Sequence, residues 1–230
     1  MNGLIHSSLY FGMLVSVGAY MLGVWLKKKT GWAILNPLLV AIIVVIAFLS
    51  VFHIEYKEYN RGAVYLGYFL TPATVCLAIP LYKQLELLRQ HLIAVASAIV
   101  AGVAGSVGSI YVMCRFFQME HTHYVTLLPK SITTAIGMGV SEEAGGIVTL
   151  TVISIIITGI LGNIIADWLF QIFKIEEPIA KGLALGTAAH AIGTAKALEL
   201  GEIEGAMSSL SIAVAGLLTV VVVPLMSGLI

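Results

Sequence analysis

The sequence predicts an all-α polytopic membrane protein, and three observations carry that prediction. Of the 230 residues, 59% are hydrophobic and only 10% are charged, against roughly 25% charged in soluble domains. The apolar residues fall into runs of membrane length. Two segments interrupt this pattern, 128–144 and 179–200; they are rich in Gly, Ala, Ser and Thr and carry Lys130, Glu142, Glu143, His190, Lys196 and Glu199. A charge at the bilayer centre costs roughly 2.5–3.5 kcal/mol on insertion scales, so it is normally kept for function. Two such segments in one chain point to a polar pathway inside the membrane domain.

A spanning helix needs roughly 20 apolar residues. The runs 4–26, 32–52, 62–81, 92–114, 146–170 and 205–229 meet this length and predict about six full spans, with the two polar segments as interrupted or re-entrant helices. The size fits one integral membrane domain, 1–230. The first run is followed by Lys27-Lys28-Lys29. A signal peptide would carry its basic residues ahead of the apolar stretch, so this run reads as a retained helix. The lysine cluster places loop 27–31 in the cytoplasm and the N-terminus outside, and loop 82–91, with Lys83 and Arg89, then falls on the same side.

Twelve basic and twelve acidic residues cancel, which leaves no electrostatic case for nucleic acid. Cys76 and Cys114 lie far apart in apolar surroundings and read as small packed side chains rather than a disulfide or metal pair. His121 and His123 with Glu120 form a loose cluster that reads as surface histidines. The chain contains no H-E-x-x-H, G-x-S-x-G, phosphate-loop or paired-cysteine motif. No catalytic residue, metal or cofactor is expected, and the chain does not read as an enzyme.

Internal similarity is weak but present. Pro72-Ala73-Thr74-Val75 lies 57 positions before Pro129-Lys130-Ser131-Ile132, and Ala135-Ile136-Gly137 lies 56 positions before Ala191-Ile192-Gly193. If the two polar segments are both re-entrant they enter from opposite faces, as in an inverted repeat whose half-helices meet at mid-membrane.

Several residues are candidates for chemistry. Pro37, Pro72 and Pro80 interrupt apolar runs; Asn36, Thr71 and Thr74 either satisfy the freed backbone or bind substrate. Pro129 suits a first helical position, so a helix is expected from there, with Lys130, Ser131, Thr133 and Thr134 around its positive end, a setting for a small anion. Lys130 snorkelling to the interface is the plainer alternative. His190, between Gly186-Thr187 and Gly193-Thr194, either bridges two helices or contacts substrate and carries a coupling proton. Glu142 and Glu143 are either an exposed linker or gating residues. Gly102-Val103-Ala104-Gly105 with Gly108-Ser109 offers a small-residue face for a homo-oligomer or for packing within the chain.

These same residues resemble the signatures of the LrgB/CidB family of bacterial membrane proteins: Asn36-Pro37-Leu38-Leu39, Thr71-Pro72-Ala73-Thr74-Val75, Pro129-Lys130-Ser131-Ile132-Thr133-Thr134, and Gly186-Thr187-Ala188-Ala189-His190-Ala191-Ile192-Gly193-Thr194-Ala195. The similarity runs over nearly the whole chain. Thr71 and Ala189 depart from it, standing where Gly and Ser are common in the family. The resemblance implies a multi-pass protein of the bacterial cytoplasmic membrane that modulates murein hydrolases and autolysis with a small holin-like LrgA/CidA partner, and it includes carriers of pyruvate, glycolate and glycerate. On that basis the expected function is a carrier of small monocarboxylates. Its substrate site is expected from Asn36, Thr74, Lys130, Ser131, Thr133, Thr134, His190 and Thr194, with His190, Glu142 and Glu143 as coupling or gating residues. The alternative is a regulatory or pore-associated antiholin without a transport cycle.

Overall fold

A computed structural model describes residues 10–32 and 34–230; the side chains of residues 70, 71 and 74 lie outside that description. Every regular element among the described residues is helical. The chain separates into two compact units, Met1–Cys76 and Leu77–Ile230, which are taken in turn.

In the first unit α1 (Phe11–Thr30) packs on α2 (Pro37–Val51) and α3 (Tyr56–Gly67). α1 ends where Gly31 takes the left-handed conformation (φ 70°) and its N–H bonds to the carbonyl of Lys27, the usual C-terminal glycine stop. Asn36 caps α2 by accepting from the N–H groups of Leu38 and Leu39, with Pro37 at the first helical position. The Ser16 and Tyr59 hydroxyls join α1 to α3 at 2.7 Å. α2 has 15 residues, about 22 Å at 1.5 Å per residue, shorter than the expected span 32–52. Residues 4–9 of the first expected span lie outside the described residues.

The expected span 62–81 is not one helix. It is divided among α3, α4 (Leu70–Cys76) and α5 (Ala78–Lys83). Pro72 and Pro80 each stand third in a short helix, within the first turn, where a missing N–H leaves no helical bond unmade. Each proline therefore starts a new helix and the apolar run breaks.

The second unit continues with α6 (Leu85–Gln90), α7 (Leu92–Phe116), α8 (His121–Leu127), α9 (Thr134–Glu143), α10 (Val148–Ile172), α11 (Pro178–Leu200) and α12 (Glu202–Ser227). Three of these, α7, α10 and α12, are long and apolar enough to cross a membrane, and they match the expected spans 92–114, 146–170 and 205–229.

Between them lie two helical hairpins. The first is α8 and α9, which run back along one another on either side of the turn 128–133. Its arms are tied by Thr151 of α10, which donates to the Thr126 carbonyl (2.9 Å) and meets the Ser141 hydroxyl (2.6 Å). The second lies within α11, where His190 has φ 42° and ψ −134° and the helix reverses. A Cβ placed on Gly193 would collide with the carbonyl of Leu185, eight residues back, which is possible only if the chain doubles over. Both ends of α11 sit at the same end of the unit: Gly182 lies against the Glu204 carbonyl, and Leu198 packs over Gly205.

The hairpins occupy opposite ends of the unit and meet tip to tip. The first half of α12 holds the second hairpin, through Gly186 against Ser208 and Ser211 and through Thr194 to Ser208 (2.7 Å). The second half of α12 holds the first, through Ile136 over Gly216 and through the Tyr124 hydroxyl on the Met226 carbonyl (3.0 Å). Along α10 the order is matched, from Thr151 beside the first hairpin to Lys196 on Asp167 (2.7 Å) beside the second. The core of the unit is Val95, Ile99, Val103, Val107, Tyr124, Leu128, Leu183, Met207 and their neighbours.

The close approach of α11 to α12 depends on Gly182 and Gly186, spaced as Gly-x-x-x-Gly, a pattern that lets helix backbones touch in membranes. A side chain at Gly186 would strike the Ser211 hydroxyl and the Ser208 carbonyl. Overpacking of a tight interior costs roughly 1–3 kcal/mol. Gly186→Leu is expected to lose most folded protein in detergent thermal-stability measurements, whereas Gly105→Leu, where nothing lies within 4 Å of the added Cβ, should match the parent.

Candidate functional site

The hairpin tips face a cavity of about 610 Å³ in the second unit. Three helices wall it: α7 through Ala98, Gly102 and Ser106, α10 through Thr158, Leu161, Gly162 and Ile165, and the first arm of α11 through Ala180, Leu183, Ala184, Thr187 and Ala188. Lys130 and Ser131, from the tip of the first hairpin, complete it. Most of the wall is apolar, and the polar groups gather at mid-height around Lys130.

Hydrogen bonding sets what this cluster offers a ligand. The Ser106 hydroxyl donates to Ser131 Oγ (2.8 Å), and Lys130 Nζ donates to the same oxygen (3.1 Å). Ser131 thus accepts twice, and its own O–H proton remains for a third partner. Among the described residues no carboxylate pairs with Lys130. Thr187 donates to the Leu183 carbonyl (2.7 Å), which leaves its oxygen able to accept. A half-buried cation with unused N–H donors, next to a hydroxyl with an unused proton, has the chemistry to hold a small anion.

The helix ends at the tips act in the same direction only in part. α9 and the second arm of α11 begin at the tips and present their positive ends there, while α8 and the first arm of α11 present negative ends. These largely offset, and Lys130 decides the sign. The helix expected from Pro129 begins instead at Thr134, with Thr133 as its cap. Residues 129–132 form the turn of the hairpin, because a reversal at mid-height leaves no room for another helical turn. That is what places Lys130 and Ser131 in the cavity wall.

The other predicted residues are placed elsewhere. His190 is 4% exposed and its Nε2 lies 2.9 Å from the Ile155 carbonyl; the ring packs over Gly159 and is not part of the cavity wall. This is the helix-bridging geometry. Thr194 is buried between the His190 carbonyl and Ser208. Thr133 and Thr134 flank the start of α9 and do not line the cavity. Glu142 and Glu143 are exposed at the far end of α9. Asn36 is occupied as the cap of α2, in the first unit. Thr74 lies outside the described side chains. His121 meets the Ile230 carbonyl at 2.7 Å, and no cluster of metal-binding side chains occurs among the described residues.

Sequence reasoning missed Ser106, Thr158 and Thr187 as wall residues. The available signal was small and polar residues four apart, Gly102 with Ser106 and Thr158 with Gly162, each pair on one helix face. Gly102 also answers the small-residue face expected on α7: it packs on Thr187 within the chain.

His190 holds a conformation normally left to glycine, at a cost of roughly 1–3 kcal/mol, and its ring supplies the compensating bond. His190→Ala keeps the strain and loses the bond; His190→Gly loses both. The glycine variant is expected to melt above the alanine variant and below the parent in detergent thermal unfolding.

Comparisons with known proteins agree on one family. Residues 16–229 match the LrgB-like family. The antiholin-like protein LrgB of Bacillus mycoides (strain KBAB4) is 40% identical over 217 residues, 94% of each chain. The antiholin-like protein LrgB of Bacillus subtilis (strain 168) is 38% identical over 216 residues, again 94% of each chain. That of Bacillus cereus (strain B4264) is 40% identical over 217 residues, with the same coverage. No solved structure matches the chain. With nearly its whole length matched, the chain belongs to the LrgB-like family.

Proposed function

We propose that the chain is a carrier for small monocarboxylates of the pyruvate, glycolate and lactate class in the bacterial cytoplasmic membrane. The observation that carries this reading is Lys130. It stands at the inner end of a cavity of about 610 Å³, beside two serine hydroxyls and without a carboxylate partner among the described residues. One carboxylate would neutralise it. The ligand's oxygens would take the Ser131 proton and the remaining Lys130 donors, and its short carbon skeleton would lie on the apolar wall.

The two hairpins extend this to a mechanism. They enter from opposite ends and stop at the middle, the arrangement of inverted-repeat carriers. In this reading the hairpins are the moving parts, α7, α10 and α12 are the frame, and access alternates between the ends. Export or import of weak acids changes the internal acid load and the proton gradient, and through them the activity of murein hydrolases. That links a carrier to the antiholin-like names of the relatives. Those names also support the second reading, a regulator that acts by assembly with a small LrgA/CidA-like membrane partner or with further copies of itself.

The test is uptake of radiolabelled pyruvate and glycolate into proteoliposomes, with the protein alone and with a small holin-like partner. Saturable uptake by the protein alone supports the carrier, and uptake only with the partner makes the carrier a two-component assembly. No uptake in either case, with insertion verified, favours the regulator. Hydrogen bonds to a charged group contribute roughly 1.5–3 kcal/mol, or roughly 10–100-fold. Lys130→Gln is therefore expected to raise the half-saturating monocarboxylate concentration by about that factor, with Lys130→Arg retaining part of the affinity and both variants folding like the parent.

A further inference from the structure

The cavity wall has a direction. It runs from Ala98 to Ser106 on α7, from Ile165 to Thr158 on α10 and from Ala180 to Ala188 on α11. The start of α7, the end of α10 and the start of α11 all lie at one end of the second unit. The cavity begins there and stops at mid-height, at Lys130 and Ser131. Past the tips, the space directly behind Ser131 is only about 10 Å³, and a separate groove of about 250 Å³ between α7 and α12 toward that end is lined by apolar residues without Lys130 or Ser131. Beyond the space behind Ser131 come Val107, Ile110, Tyr124 and Leu128, each 5% exposed or less. Tyr124 and Leu128 belong to the first hairpin, which is anchored there by the Tyr124 bond to Met226 and the Ser106 bond to Ser131.

The two ends also differ in lysine and arginine, though both carry carboxylates, with Glu176, Glu177, Glu199, Glu202 and Glu204 at the open end. The open end carries Arg89 just before α7, and Lys174 and Lys181 around the link from α10 to α11. The sealed end carries Arg115, with Glu120, Glu142 and Glu143. Lys and Arg near the ends of membrane helices mark the cytoplasmic side, and acidic residues count for little in that rule. Water must also reach Lys130, since an ammonium at the foot of a lipid-filled groove would be left without solvation or counter-charge.

We infer that the cavity is a water-filled vestibule open to the cytoplasm, and that hairpin 121–147 is the seal against the outer side. In this arrangement a ligand reaches Lys130 only from inside the cell. Opening to the outside requires the first hairpin to part from α7 and α12, with loss of the Ser106–Ser131 and Tyr124–Met226 bonds. The inference rests on the carrier reading for what the vestibule serves, but the side of access is independent of it.

Single cysteines test it in the full-length protein, in a parent carrying Cys76→Ser; Cys114 is 1% exposed and its background is read from that parent. Ala184→Cys and Ala188→Cys sit in the wall, with Lys174→Cys and Glu142→Cys as markers of the two ends. Each is treated with a charged, membrane-impermeant methanethiosulfonate in inside-out and in right-side-out bacterial vesicles. The expected result is reaction of Ala184→Cys, Ala188→Cys and Lys174→Cys in inside-out vesicles only, and of Glu142→Cys in right-side-out vesicles only. Reaction of the wall positions from the outer side overturns the inference. So does their silence from both sides, which would mean a groove filled by lipid or protein, and so does Glu142→Cys reacting from the cytoplasmic side. Labelling as expected together with no monocarboxylate uptake would remove the carrier and leave the vestibule.

Discussion

The architecture of the second unit hangs on one contact, the His190 imidazole on the carbonyl of Ile155. In hydrocarbon every backbone polar group needs an internal partner, so a helix cannot simply end at mid-membrane. At the middle of the unit α11 turns back at a strained residue whose ring reaches α10, and Gly159 leaves the space for that ring. Ile155 also packs its side chain into Gly137 of the first hairpin. One residue of α10 therefore registers both tips. Without the reversal α11 would cross, α12 would run the other way, and the cavity would have no inner end.

The second constraint is steric. Apolar surface gains little by leaving lipid, so packing in a membrane relies on close contact and on hydrogen bonds between helices. Gly182, Gly186, Gly193 and Gly205 are the points of nearest approach around the second hairpin. The hydroxyls of Ser141, Thr151, Thr194 and Ser208 supply the bonds. No buried side-chain nitrogen or oxygen among the described residues lacks a partner. The polarity that marks these segments in the sequence is mostly spent on holding the hairpins, and a small remainder, Lys130 with Ser131, faces the cavity.

This division separates frame from site. The three long helices carry the apolar surface a membrane requires, while the hairpins bring polar groups to the centre without a full crossing. A charge held on a hairpin tip is also a charge that can be exposed to either end by a modest displacement of that hairpin. The two hairpins, not their tips alone, adjoin α12, one on each half.

The residue pattern by itself determined the helical membrane class, three of its six expected spans (92–114, 146–170 and 205–229), and the two interrupted segments, because apolar length and misplaced charge are local properties. It named Lys130 and Ser131 among eight candidate substrate residues without separating them from the other six. It did not determine that 62–81 breaks at its prolines or that the helix after Pro129 starts at Thr134. Nor did it show that His190 bonds to the Ile155 carbonyl. Those depend on which backbone groups find partners across the fold: Ile155 lies 35 residues from His190, and Ser106 lies 25 residues from Ser131. Only the tertiary structure brings such groups within bonding distance, and so only it decided which polar residues hold the hairpins and which face the cavity.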